Sequence, residues 1–146
     1  MIASWLIVIA LLPAAAPAAM AAPDKLIVVT KPTVVAFFAS VSEADLERDP
    51  DTNEALADFQ HYASRVEPAL QAMGVAFHVV YARSFQVRDG TRLKTFRPPG
   101  TGVGYYLVAP GKGPRVEERV MTDEDLVAVA REHFDLSGSD PPAHIQ

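Results

Sequence analysis

The chain has no cysteine. Thiolate nucleophiles, disulfide staples and thiolate metal ligands are therefore excluded, as is the lipid-modified cysteine of a bacterial lipoprotein. Histidine is sparse: His61, His78, His133 and His144 are scattered and form no recognised zinc spacing. Positive charge is in deficit, with 13 Lys and Arg against 18 Asp and Glu and a net charge of −5. Nucleic acid needs clustered cations against its phosphates, so it is excluded as the main partner. No apolar run reaches the ~20 residues that span a bilayer. There is no G-x-S-x-G, so a hydrolase nucleophile elbow has no support. No cofactor motif is present: Gly100 to Gly104 is glycine-rich but leads into a strand, whereas phosphate loops open a helix.

What is present begins with an address. Ile2 to Leu12 is apolar apart from Ser4, Pro13 follows, and Ala19-Met20-Ala21 forms a small-x-small cleavage site. This pattern predicts a secretory signal peptide over residues 1–21 and an exported chain, periplasmic or extracellular, with no membrane span after cleavage. No Lys or Arg precedes the apolar run, which leaves an uncleaved short anchor as the alternative. The remainder, on the order of 120 residues, suffices for one core without disulfides. A single domain is expected over 22–136, followed by a loose Ser/Gly/Pro tail over 137–146.

Local patterns predict the elements. Leu26–Val29 and the β-branched, aromatic Thr33–Ala39 read as strands, the second covered on both faces. Ser42 caps a short helix with Asp45 at the capping-box position, and Pro50 stops it. Leu56, Phe59, Ala63, Val66, Leu70 and Met73 make one apolar stripe of a helix capped by Thr52 or Asp51, kinked by Pro68 and ended at Gly74. Val75–Ala82 reads as a buried strand, and Phe85–Phe96 as a hairpin turning at Asp89-Gly90 or a segment with a short helix. Tyr105–Ala109 and Arg115–Val120 read as antiparallel strands, and Thr122 caps a last helix.

The order strand, helix, strand, loop, hairpin, helix resembles the thioredoxin-like superfamily. Lys31 to Ala39 (KPTVVAFFA) resembles its K-P-x-L-V-D-F-W-A strand, and Phe59 to Leu70 (FQHYASRVEPAL) its W-C-x-x-C-K-x-x-x-P-x-L helix. Gly104 to Val108 resembles its P-T-L-x-x-F strand. The resemblance implies a three-layer α/β/α sandwich with a mixed central sheet. It also implies that the cysteine positions fall on Gln60 and Ala63, the buried acid on Ala36 and the cis-proline on Gly104. All parts of the exchange machinery are then replaced. Val41 to Asp58 reads as an insertion at that end of the domain.

The resemblance therefore implies a non-catalytic module that binds a protein or peptide. Its surface would be built from Gln60, His61 and Tyr62 at the former active-site turn and from the Pro98–Gly104 loop, with Pro99, Gly102 and Gly104 alongside an extended ligand. Arg92, Lys94 and Arg97 nearby favour an acidic ligand. Tyr62, Tyr105, Tyr106 and Phe96 line either that groove or the core. Two other readings stand beside this one. Asp58 and His61, three residues apart on a helix, suit a general base or half a metal site in a non-redox enzyme, or simply a solvated ion pair. The acidic stretch Glu43–Asp58 and the basic stretch Arg83–Arg97 suit a structural subunit of an envelope complex, or simply two solvated faces. His78 is expected as a hydrogen-bonded core residue, and His133 as a cation favoured by its helix C-terminus.

Overall fold

Every side chain of Thr33–Phe38 is buried, and the rest of the fold is arranged around that strand. The computed structural model describes residues 25–39, 42–100 and 102–136. The expected signal segment 1–21 and tail 137–146 lie outside them. Among the described residues, the strands are β1 (Lys25–Val29), β2 (Thr33–Phe38), β3 (Ala76–Tyr81), β4 (Phe85–Asp89), β5 (Arg92–Phe96), β6 (Val103–Ala109) and β7 (Lys112–Glu117). The helices are α1 (Glu43–Arg48), α2 (Pro50–Ala72) and α3 (Asp123–His133).

One sheet has the order β3-β2-β6-β7, with β3 parallel to β2 and the other pairs antiparallel. Strand side chains alternate between faces. Val34, Ala36 and Phe38 of β2 thus join Tyr105 and Leu107 of β6 in a core with Phe59, Val66 and Leu70 of α2 and Leu126 and Ala130 of α3. Val35, Phe37, Val80, Tyr106 and Val108 face the other way and meet Ile27, Val29, Phe85 and Val87. Those four belong to a second sheet, β1-β4-β5, in which β1 runs parallel to β4 and β4 antiparallel to β5.

The fold is α/β, and it corrects the expected α/β/α layering. Both long helices lie on one face of the four-stranded sheet, and a sheet covers the other. Phe85–Phe96 is a hairpin with Gly90 at φ 58°, so no helix forms there. The β-hairpin supplies the apolar inner row Phe85, Val87 and Phe96 that a helix would otherwise have to provide. β3 is an edge strand, mostly half-buried, where a buried strand was expected.

The helix ends follow local chemistry. Ser42 and Asp45 form the expected capping box of α1. Pro50 does more than stop α1. It takes the first helical position of α2, where its missing N–H costs nothing. Asp49, rather than Asp51 or Thr52, is the cap: its carboxylate accepts from the Thr52 N–H at 3.3 Å and the Thr52 hydroxyl at 2.6 Å. These bonds stabilise the charged form and lower the Asp49 pKa. Gly74 at φ 75° ends α2, with the Val75 N–H donating back to the Leu70 carbonyl at 3.0 Å. Thr122 caps α3 as expected.

Candidate functional site

The C-terminal end of β2 opens into a pocket of about 330 Å³. Phe38 and Ala39 form its floor, Val103 of β6 and Val120 before α3 form one wall, and Ala55 of α2 faces them. Asp51, Thr52 and Arg119 supply the polar rim. The residues read as an insertion build the opposite wall. Pro50–Asp58 is the start of the same 23-residue helix that carries the apolar stripe, and its first turns run past the end of the sheet.

Two glycines fix the floor. Gly102 has φ 76°, and a Cβ there would stand 2.7 Å from the Ala39 Cβ. The Ala39 N–H donates to the Gly102 carbonyl at 2.8 Å, extending the β2–β6 pairing by one step. At Gly104 an added Cβ would lie 1.9 Å from the Glu117 carbonyl oxygen. Both glycines are thus occupied by contacts within the chain. Gly104 lies between two paired strands, opposite Phe37 on β2, so it is not a free edge for an added peptide strand.

The other residues singled out from the sequence are dispersed. Gln60, His61 and Tyr62 sit in the middle of α2, not at a turn; Gln60 is ten positions, about 15 Å, past Pro50. Gln60 lines a shallow cleft between α2 and the β3 edge with Ala63, Ser64, Phe77 and Tyr81. His61 is exposed, with its ring 5.4 Å from that of Tyr62. No ion pair joins Asp58 to His61, and no group of three or more His, Asp or Glu among the described residues is placed to hold a metal ion. Pro99 is exposed and accepts from the Gly102 N–H at 3.1 Å; Arg97 is exposed just after β5. Arg92 and Lys94 line a different cleft, with Tyr106 and the β6–β7 turn. That cleft lies on the other face of the four-stranded sheet, so these cations do not flank the pocket at the end of β2. The charged residues lining the pocket are one of each sign, Asp51 and Arg119, and the helix surface that leads away from Asp51 is acidic: Glu43, Asp45, Glu47, Asp49 and Glu54 are exposed on α1 and the first turns of α2.

The core aromatics are now distinguishable. Tyr105 is buried, its hydroxyl donating to the Met121 carbonyl at 3.4 Å and accepting the Met121 N–H at 3.3 Å; burial raises its pKa. Phe96 packs 4.7 Å from the Tyr106 ring, and both belong to the layer between the sheets. His78 is only half-buried, and burial, reinforced by Lys25, lowers its pKa. His133 is also held below the usual imidazole value, by burial first and then by Lys112 and Arg115. Its buried Nε2 has no hydrogen-bond partner, so burial disfavours the cation expected at that helix end.

Sequence reasoning missed the pocket at β2 because its walls come from four separate segments. The available signal was Asp49-Pro50, a cap and first-position pair that starts a helix early enough to overhang the strand end. No protein-family model matches this chain, and neither the curated proteins nor the solved structures yielded a match. Among the described residues, no helix is long and apolar enough to cross a membrane.

Proposed function

We propose that this chain is an exported, non-catalytic module on a thioredoxin-like scaffold, and that it holds a protein or peptide segment in the pocket at the end of β2. The observation that carries this reading is the pocket itself. Its apolar lining (Phe38, Ala39, Ala55, Val103 and Val120) suits one apolar side chain of a bound segment. The acidic surface of α1 and the first turns of α2, beyond the Asp51 side of the rim, favours basic residues flanking that anchor on that side.

The scaffold reading rests on the order β2-α2-β3 followed by β6-β7-α3, with both helices on one face of a β3-β2-β6-β7 sheet. The absence of cysteine removes thiol–disulfide exchange from such a scaffold and leaves binding. The apolar run and small-x-small site before Ala22 support export to the periplasm or beyond.

A random-peptide display selection against the purified protein tests the binding reading, with Ala55→Arg as the counter-target. Ala55 is partly buried at the pocket wall, so an arginine there fills the opening. Selected peptides should share an apolar anchor with basic neighbours and lose binding to the variant. Enriched peptides that bind both proteins equally, or no enrichment, would contradict the reading.

A further inference from the structure

Beneath the four-stranded sheet, on its other face, the β4–β5 hairpin and the β6–β7 turn enclose a cleft of about 100 Å³. The two turns are tied together: the Gly111 N–H donates to the Asp89 carboxylate at 3.1 Å. On β5, Arg92, Lys94 and Phe96 alternate on the inner side, where Lys94 is opposite Val87 and Arg92 opposite Asp89. Phe96 fills the layer between the sheets, whereas Arg92 and Lys94 continue the same row into the cleft. Neither cation forms an ion pair or a side-chain hydrogen bond among the described residues. Lys112 lines the cleft too, but its ammonium is engaged by the Asp135 carboxylate at 3.0 Å and by the His133 carbonyl.

Tyr106 completes the wall. Its ring is buried, and its hydroxyl, which has no hydrogen-bond partner among the described residues, opens onto the cleft. Its pKa is raised by burial and by the Asp89 charge, so the phenol remains a neutral donor. An unpartnered O–H donor and two unpartnered cations thus line one small cavity. Around it, Gly111 and Gly113 place no side chain on the β6–β7 side of the cleft.

We propose that this cleft binds a small oxyanion, phosphate or carboxylate, through Arg92, Lys94 and the Tyr106 hydroxyl. Arginine and lysine supply charge-assisted donors, and tyrosine a neutral one, to oxygens that carry negative charge. Arg92 and Lys94 against Asp89 leave an excess of one positive charge. The volume fits a single such group and excludes a nucleotide. Hydrogen phosphate also carries an O–H to offer Asp89, which acetate lacks, so phosphate binds the more tightly.

Titration of the full chain with inorganic phosphate and, separately, with acetate tests this, at constant ionic strength set by chloride. The readout is the amide shifts of Gly111 and Gly113. Phosphate is expected to saturate them. The double variant Arg92→Gln/Lys94→Gln should weaken binding about tenfold or more, and Tyr106→Phe severalfold, whereas Arg97→Gln at the far end of β5 should not change it. Saturation by acetate with phosphate silent would overturn the phosphate preference and assign the site to a carboxylate. Absence of saturation by either anion, or equal binding by the double variant, would overturn the proposal.

Discussion

The Gly104 α-carbon approaches the Glu117 backbone so closely that a β-carbon would stand 1.9 Å from the Glu117 oxygen and 3.1 Å from the Phe37 ring. Gly104 has partners on both sides, in strands β2 and β7, so neither neighbour can retreat without breaking a ladder. Gly104→Ala should therefore destabilise the fold by about 3 kcal/mol, the upper range for forced overpacking. Gly113→Ala is the control, because a Cβ there meets nothing within 4 Å; its cost should stay within about 0.5 kcal/mol. Urea unfolding of both variants gives the comparison, and equal costs would contradict the account of Gly104.

Phe59 ties α2 to the sheet. Its ring is fully buried, 5.3 Å from Phe38, 6.2 Å from Tyr105 and 6.1 Å from Tyr81. Phe59→Ala should cost about 3–5 kcal/mol, the usual range for opening a phenylalanine-sized cavity. Chemical denaturation measures it. A loss below about 1 kcal/mol would mean that α2 does not pack there.

Acid should weaken the fold through two histidines. Burial lowers the pKa of both His78 and His133 in the native state. The unfolded chain therefore takes up protons first as pH falls below about 6.5. The stability these groups contribute is complete above that pH. It is lost progressively as pH falls towards and through the lowered native values. Unfolding free energy measured at about pH 7.5 and about pH 5 should drop at the lower pH, and His133→Gln should reduce the drop. An unchanged stability across that window would contradict the histidine burial.

Much of the architecture is written locally in the chain. The unbroken β-branched and aromatic run Thr33–Phe38 can only be a strand covered on both faces, and the stripe from Leu56 to Met73 can only be a long amphipathic helix. Ser42 and Thr122 mark helix starts by the hydrogen bonds that their hydroxyls make. The second sheet is not legible in this way. The parallel pairing of β1 with β4 joins Lys25 to Phe85, and no local pattern records a partner so distant.

The candidate sites were legible in fragments. Arg92 and Lys94 attract notice as cations, but their shared direction follows only once Arg92–Phe96 is known to be a strand. Tyr106 reads as an ordinary apolar-strand tyrosine, and only tertiary packing brings its hydroxyl to the cleft beside Arg92 and Lys94. His133 shows the converse failure: its place in a last helical turn favours a cation, and burial outweighs that local preference.

The most direct test of the binding account is an amide chemical-shift map of the protein titrated with a display-selected peptide. The account predicts saturable shifts concentrated at Ala39, Ala55, Val103 and Val120, with the Arg92–Lys94 cleft silent. Shifts confined to the β5–β6 connection or to the middle of α2 around His61, with the end of β2 unmoved, would contradict it.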